Sequence, residues 1–144
     1  MDDVSACTNV LYAIAEAMDA WDTETLHALL AKTDLVDGVS GAVLASGGDA
    51  AITHFAAIVK VHADGTWRTK HVTTNPIVNI EGDVAVVRSM YTVMQQTERL
   101  PLQMIISGRY HDTFRRQHDT WILTERRYFA DLIGDLSDHL RIEL

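Results

Sequence analysis

One stretch of the chain decides its fold class: residues 67–95, WRTKHVTTNPIVNI-EGD-VAVVRSMYTVMQ. Apolar and polar side chains alternate along both arms, with the period of two that is typical of half-buried strands. Gly82 stands in the middle of the Glu81–Asp83 turn, where a hairpin needs a residue that tolerates positive φ. The stretch therefore predicts two antiparallel strands, from about Trp67 to Ile80 and from Val84 to about Gln95.

The same alternation continues towards the C-terminus. It predicts a third strand from Leu102 to about Arg115 and a fourth from Thr120 to about Phe129, joined by short turns in an antiparallel meander. The tail from Asp131 to Leu144 predicts a short helix that closes against the body. On the first and third strands, the alternating sets led by His71 and Met104 mix polar with apolar groups, as the lining of a ligand pocket requires.

The first third of the chain has helical periodicity instead. Asp22 is a candidate cap for a second helix that runs to Leu30, and Ser46–Asp49 begins a third helix, which reaches Val59. Between Thr33 and Leu44 we expect a short strand or an irregular segment. Three helices followed by a meander predict an α+β domain over residues 1–144, with the helices on one face of the sheet. The first helix is indicated by apolar residues at spacings of three and four: Val4, Cys7, Leu11, Ile14 and Met18.

Composition narrows the classes of partner. The chain has 144 residues and a formal net charge of −8, and such an acidic surface repels the phosphate backbone of nucleic acids. No run approaches the ~20 apolar residues that span a bilayer, and the acidic start lacks the pattern of a signal peptide. The expectation is a cytoplasmic protein with neither nucleic-acid nor membrane partners. Its single cysteine, Cys7, excludes an internal disulfide.

Six stretches together resemble the SnoaL-like branch of the nuclear transport factor 2-like superfamily. Each is weakly diagnostic alone, but their order and spacing cover nearly the whole chain. The resemblance implies a cone-shaped, cystatin-like α+β roll with a deep pocket. The stretches are IAEAMDAWD (14–22), HVTTNP (71–76), GDVA (82–85), GRYHD (108–112), WILTERR (121–127) and DLIGDLSDHL (131–140).

The resemblance also implies a kind of chemistry. Relatives include scytalone dehydratase, bile-acid dehydratase, hexachlorocyclohexane dehydrochlorinase, ketosteroid isomerase, limonene epoxide hydrolase and polyketide cyclases, which need no metal or organic cofactor and often form homodimers. In the dehydratases and the dehydrochlorinase, an aspartate near the end of the first helix orients a histidine on the first long strand. The matching residues here are Asp19 and His71. The expected partners are a small apolar organic ligand and further copies of the chain, in a homodimer or a higher homo-oligomer.

One departure affects the proton donor. The family dehydratases carry a tyrosine five residues before the aspartate, where this chain has Ile14, and scytalone dehydratase has an aspartate where this chain has Glu16. A phenol or a protonated carboxyl elsewhere must then serve as the acid. The candidates are Tyr110, Tyr91 and Asp112. We expect ligand contacts from Ile14, Tyr91, Asn75 and Phe55.

Each candidate also has a purely structural interpretation. His71 could be packed under a helix, and Asp19 could cap the end of the first helix. Tyr110 could be a core aromatic residue, Asp112 could pair with Arg126 or Arg127, and Asn75–Pro76 could be a strand irregularity.

The histidines show no metal-ligand spacing, and Gly47–Gly48 begins a helix and is not a phosphate loop. The leading hypothesis is a cofactor-independent lyase or isomerase for a small, mostly apolar molecule, cyclic ones included, with His71 as base and Asp19 as its orienter. The alternative is a non-catalytic small-molecule-binding domain on the same scaffold. For the outer face of the sheet we expect apolar residues that could form a dimer contact: Val72, Val78, Val87 and Ile105.

Overall fold

The chain folds into three helices and six strands, and the computed structural model describes all 144 residues. The helices and two short strands come first, and four long strands follow. The elements are α1 (Asp3–Ala20), α2 (Thr23–Leu29), β1 (Asp34–Asp37), β2 (Val43–Ser46), α3 (Gly48–Ile58), β3 (Thr69–Glu81), β4 (Val84–Gln95), β5 (Gln103–Gln117) and β6 (Thr120–Ile133).

All six strands belong to one sheet, in the order β2-β1-β6-β5-β4-β3. Every neighbouring pair is antiparallel except β1 and β6, which run parallel and bring Asp34 opposite Glu125. The segment expected to hold one short strand or none therefore forms two strands that extend the meander. The predicted α+β class with a mainly antiparallel sheet is confirmed. No helix combines the length and the apolar character needed to cross a bilayer.

Helix α1 packs its apolar stripe against the concave face of the sheet. Cys7, Leu11, Ile14 and Met18 are all buried, and each large apolar side chain contributes about 1.5–3 kcal/mol on burial. The helix ends where Trp21 adopts a left-handed conformation, with φ of 50°. Asp19 consequently lies in the last turn of α1, beside β3. The predicted cap of α2 is confirmed, since the backbone N–H of Thr25 donates to Asp22.

Bulges on β3 and β5 change which side chains face inward, and sequence periodicity did not reveal them. On β3 the register shifts between Thr74 and Ile77, and Asn75 has a φ of 54°. His71 faces inward before this bulge, whereas Val78 packs on the core after it. On β5 a shift opposite Val93/Met94 places Ile105 in the core and leaves Met104 70% exposed, so the set led by Met104 does not face inward throughout.

The prediction of which apolar residues lie on the outer face is therefore largely wrong. Val87 and Ile105 are fully buried, and Val78 packs against the core cluster, because strand phase and the bulges turn them inward. Of the four residues expected on that face, Val72 alone is exposed. The apolar residues that do lie exposed along β3 to β6 are Val72, Ile77, Val86, Met90, Met104, Leu132 and Ile133.

The tail does not form the predicted helix. Strand β6 continues to Ile133, which pairs with Ile106 of β5, and a turn at residues 137–139 follows. Leu140 then forms an isolated bridge with Val59. The apolar residues that suggested a helix are thus divided between the end of a strand and a strap. That strap packs across one end of the molecule.

Candidate functional site

Asp19 and His71 form a hydrogen-bonded pair. Nδ1 of His71 lies 2.6 Å from Oδ1 of Asp19, and the two side chains are 7% and 12% exposed. The backbone N–H of His71 also donates to Oδ2 of Asp19, at 2.9 Å. The hydroxyl of Thr69 donates to Oδ1 at 3.0 Å. Three donors from one strand therefore hold the carboxylate, so that it cannot turn away from the imidazole.

The tautomer of His71 follows from this arrangement. A carboxylate accepts hydrogen bonds and cannot donate them, so the ring proton lies on Nδ1 and points at Asp19. Nε2 then carries a lone pair, and it has no hydrogen-bond partner in the protein. His71 also borders a cavity that opens to the surface. One nitrogen is thus held by the carboxylate, and the other is free to act on a bound molecule.

The cavity has a volume of about 340 Å³ and lies between the helices, the sheet and the tail. Most of its lining residues are apolar or aromatic, including Phe55 from α3 and Trp67 before β3. The Trp67 ring packs against His71, with 6.0 Å between ring centroids. Such a volume holds a ligand of one or two rings, and the apolar wall favours a ligand with few polar groups.

Three tyrosines form the sheet side of the cavity: Tyr91 on β4, Tyr110 on β5 and Tyr128 on β6. The rings of Tyr91 and Tyr110 stack with 4.4 Å between centroids, and Tyr128 meets Tyr110 edge-on. The Tyr91 ring lies over Gly108, where a Cβ would come within 2.8 Å of its ring carbon. Glycine at this position lets the Tyr91 hydroxyl reach the carbonyl oxygen of Phe129, at 3.0 Å.

The hydroxyls differ in what they can offer a ligand. That of Tyr91 is engaged with the backbone, whereas no protein group is hydrogen-bonded to the hydroxyl of Tyr110 or Tyr128. Burial raises the pKa of Tyr110 to about 12, opposed by the guanidinium of Arg126. Burial also raises the pKa of Tyr128. Both phenols therefore keep their protons at neutral pH and are available as donors.

Asp112 does not reach the cavity. It is fully buried, and both of its oxygens accept hydrogen bonds from Arg126, at 2.8 and 3.0 Å. The guanidinium lies under the Tyr110 ring, 3.8 Å from its centroid. Burial raises the pKa of Asp112, and Arg126 opposes the rise. With both oxygens held by a cation, Asp112 forms the structural ion pair and is not a free acid facing a ligand.

The sequence matches the family model of the SnoaL-like domain over residues 1–127. The chain belongs to the SnoaL-like family. No curated protein matches its sequence. The family assignment agrees with the resemblance seen in the six sequence stretches, and with the order of helices and strands.

Solved structures share the SnoaL-like fold at low sequence identity. A protein with a cystatin-like fold from Nostoc punctiforme is 20% identical, with a TM-score of 0.75 over 93% of this chain and 95% of that one. A scytalone dehydratase-like protein from Novosphingobium aromaticivorans is 20% identical, with a TM-score of 0.69 over 92% and 87%. LinA is 14% identical, with a TM-score of 0.69 over 92% and 88%. At these identities the likeness shows the fold alone.

The predicted ligand contacts of the SnoaL-like chain divide into two groups. Phe55 and Tyr91 line the cavity. Ile14 instead lies in the hydrophobic core, 1% exposed, because α1 turns it towards its neighbouring helices and the sheet. Asn75 is exposed at the bulge of β3, where its amide approaches the sulfur of Met90 at 3.5 Å. Neither Ile14 nor Asn75 lines the cavity, and the interpretation of Asn75–Pro76 as a strand irregularity is confirmed.

The residues of this SnoaL-like chain that line the cavity and that sequence reasoning missed include Trp67, Tyr128 and His139. Tyr128 was hidden by a bulge in β6, where the register shifts between Thr113 and Phe114 of β5 and reverses the inward phase after Leu123. His139 belongs to one of the six resembling stretches, and that stretch was interpreted as packing. Its position beside the cavity follows from the course of the tail.

Other polar clusters of the molecule are self-contained. A surface groove of about 550 Å³ includes Arg68 and Arg99, but these pair with Asp64 at 3.3 Å and Asp138 at 2.7 Å. No three of the His, Cys, Asp and Glu side chains come together in an arrangement that could hold a metal ion. The cavity with the Asp19–His71 pair is therefore the candidate active site.

Proposed function

We propose that the protein is a cofactor-independent lyase or isomerase that acts on a small apolar molecule, cyclic ones included, with His71 as the general base. The observation that carries this proposal is the pair itself: Nδ1 of His71 lies 2.6 Å from Asp19, while the same ring borders the cavity. Imidazole is suited to proton transfer near neutral pH because its two forms are close in free energy there.

The base acts through the nitrogen that Asp19 leaves free. A carbon-bound proton passes to Nε2 of His71, and the electron pair of the broken C–H bond stays on the ligand. The imidazolium that forms is stabilised by the adjacent carboxylate, which needs no reorientation because Thr69 and the His71 backbone already hold it. The same step begins an elimination or a double-bond shift.

The acid in this proposal is a phenol on the sheet side. Tyr110 is the first choice, because its hydroxyl has no protein partner and Arg126 lies under its ring at 3.8 Å. A cation at that distance favours the partial negative charge that develops as the hydroxyl donates. In an elimination, a leaving oxygen takes the Tyr110 proton as its bond to carbon breaks, and the imidazolium of His71 then returns a proton to the phenolate.

Family membership supports the class of reaction, and the neighbours agree with it. A scytalone dehydratase-like protein and LinA share the fold, and the dehydration named for the first of these is an elimination of the proposed kind. The reaction needs neither electron transfer nor group transfer to a carrier. The proposed reaction therefore uses no co-substrate beside the ligand held in the 340 Å³ cavity.

The test is a panel of cyclic β-hydroxy ketones, β,γ-unsaturated ketones and halogenated rings, incubated with the protein and followed by NMR in D2O. We expect turnover or deuterium uptake at carbon with the wild type, and a loss of about 10²–10⁴-fold in His71→Ala. His27→Ala is the matched control, since His27 also pairs with a carboxylate, at 2.6 Å from Asp49, but on the exposed surface. His71→Ala with the wild-type rate would overturn the proposal.

A second candidate function is binding without chemistry, which the largely apolar lining of the cavity favours. It predicts that panel members bind but neither react nor exchange a proton. Tyr110→Phe separates the two candidates in the presence of an active panel member. Removing this free hydroxyl lowers turnover about tenfold or more if it is the acid, whereas Tyr91→Phe, whose hydroxyl is held by Phe129, has the smaller effect.

A further inference from the structure

Two imidazoles besides His71 line the same cavity, His54 from α3 and His139 from the tail, and the surroundings of His139 carry the inference. His139 is 6% exposed and lines the cavity, although it lies outside residues 1–127, which match the family model. Its ring meets the Trp67 ring edge-on, with 5.8 Å between centroids, and the His71 ring packs against the same tryptophan, at 6.0 Å. The two histidines therefore share one aromatic wall.

The backbone of the tail holds His139 in place. Its N–H donates to the carbonyl oxygen of Leu136 at 3.0 Å, and its own carbonyl oxygen accepts from the N–H of Lys60 at 2.8 Å. The preceding residue, Asp138, is tied to Thr97 at 2.6 Å and to Arg99 at 2.7 Å. These hydrogen bonds fix the backbone at His139 and at the residue before it, which limits the positions that the His139 ring can take.

The ring nitrogens of His139 have no hydrogen-bond partner in the protein. Nδ1 is sealed from solvent with no partner, whereas Nε2 is not among the sealed atoms. A sealed N–H that finds no acceptor is rarer in proteins than a sealed lone pair without a donor. The neutral ring therefore carries its proton on Nε2, and Nδ1 keeps the lone pair. Nε2 is not sealed and His139 lines the cavity, so this N–H is the polar group that the ring can offer a ligand.

We propose that His139 is a ligand-binding residue whose Nε2–H donates a hydrogen bond to a carbonyl oxygen of the ligand. This rests on the proposed function, because it assumes that the cavity is the site. It narrows the ligand to a carbonyl compound, with an acidic C–H bond facing His71 and its oxygen at the tail end of the cavity. Ketones and enones of one or two rings fit this description.

The electrostatic surroundings keep His139 neutral. The pKa of His139 is lowered to about 4, chiefly by burial and also by the neighbouring His71 and His62, while Asp19 acts in the opposite direction. A neutral imidazole can donate a hydrogen bond without placing a positive charge next to the base, His71. As the carbon proton leaves, charge develops on the carbonyl oxygen, and the hydrogen bond from Nε2–H then strengthens.

The two imidazoles have complementary roles in this arrangement. His71 is forced by Asp19 to present a lone pair, and His139 is forced by its sealed Nδ1 to present an N–H. A carbonyl compound has both matching groups, the C–H bond for the first histidine and the oxygen for the second. A halogenated hydrocarbon has the first group only.

The test uses α-tetralone and tetralin, which differ by one carbonyl oxygen. The measured quantity is the ratio of their dissociation constants, tetralin over α-tetralone. We expect this ratio to fall about three- to tenfold in His139→Leu, because the carbonyl oxygen then loses one hydrogen bond. The ratio should fall less in His139→Gln, because the amide N–H of glutamine takes the position of Nε2–H. A ratio unchanged in His139→Leu, or no binding of α-tetralone by the wild type, would overturn the proposal.

Two further measurements keep the outcome decisive. In the wild type, 15N NMR of the histidine rings should show His139 neutral with its proton on Nε2 at pH 6–8, and a proton on Nδ1 would overturn the proposal even if the variants fail to fold. Deuterium exchange at the α-carbon of bound α-tetralone reports on His71 separately. A wild type that shows the expected ratio but no exchange would uphold the role of His139 and contradict proton abstraction.

Discussion

Two buried carboxylates have different partners: Asp112 on β5 pairs with Arg126 on β6, and Asp19 on α1 pairs with His71 on β3. In the Asp112–Arg126 pair both carboxylate oxygens are bound by the guanidinium, and the side chains are 0% and 2% exposed. In the Asp19–His71 pair the carboxylate is equally well held, but one ring nitrogen of His71 is left without a protein partner beside a cavity.

The difference shows which pair stabilises the fold and which pair can also act on a ligand. A pair whose hydrogen-bonding groups are all used inside the protein has nothing to offer a ligand, and its loss is felt as stability. A pair with one group left over is only partly used in folding, and that group can act on a bound molecule. Variants of the two pairs should therefore change different measured quantities.

The largest expected effect is on the rate in Asp19→Asn. An amide does not supply the charge that stabilises the imidazolium of His71, and its NH2 group competes for the position of Oδ1. We expect turnover of an active panel member to fall about 10²–10⁴-fold, with a far-ultraviolet circular dichroism spectrum like that of the wild type. Full activity in Asp19→Asn would remove the distinction between the two pairs.

The next effect is on stability in Arg126→Met. Removing the guanidinium leaves the carboxylate of Asp112 buried and unpaired, which costs about 3–5 kcal/mol in the free energy of unfolding. Urea denaturation measures this loss. The double variant Asp112→Leu/Arg126→Met should recover part of the stability, because it leaves no buried charge. A single variant as stable as the wild type would show that the pair has no structural role.

His139 provides a smaller effect, which depends on pH. Its pKa in the folded protein is about 4, below the ordinary value of 6.5, so between these values the unfolded chain takes up a proton that the folded protein does not. The free energy of unfolding therefore falls as the pH drops from 6.5 to 4, by about 1.4 kcal/mol per pH unit and roughly 3 kcal/mol in total.

Comparison with His139→Gln isolates this contribution. The wild type should lose roughly 3 kcal/mol more than the variant between pH 7 and pH 4 in urea titrations. Other groups titrate in the same window, but they are common to both proteins and cancel in the difference. Parallel curves for the two proteins would show that His139 is not buried as the structure has it.

The smallest effect concerns the exposed face of the sheet. We propose that its exposed apolar residues, Val72, Val86 and Met90 among them, form the contact of a homodimer. Met90→Lys should weaken dimerisation about tenfold, measured by light scattering at micromolar concentrations, and change the free energy of unfolding of the monomer by less than about 0.5 kcal/mol. A wild-type monomer at those concentrations would contradict the proposal.

Much of the fold could be predicted because it depends on local patterns. The α1 stripe, the Asp22 cap, the Gly82 turn and the four long strands all follow from the spacing of side chains along the chain. The tail and the outward face could not be predicted in the same way. Periodicity assumes an unbroken strand, and bulges at Asn75 and Ile105 each reverse the phase after them.

The same distinction applies to the candidate site. Asp19 and His71 were predicted as partners through the family pattern, and the structure brings them together across 52 residues of chain. The donors opposite them were predicted only in part, because a free hydroxyl cannot be recognised from its residue type. Tyr91 and Tyr110 are alike in sequence and differ only because Gly108 lets the Tyr91 hydroxyl reach a backbone carbonyl.

By itself the sequence determined the fold class, the family, and the two residues of the candidate base, since each is carried by residue types at short or characteristic spacings. Tertiary structure alone decided that both oxygens of Asp112 are bound by Arg126, that the hydroxyls of Tyr110 and Tyr128 have no protein partner, and that His139 lines the same cavity as His71. The physical reason is that a polar group acts according to the partners left to it, and partners distant in sequence are assigned only when the chain has folded.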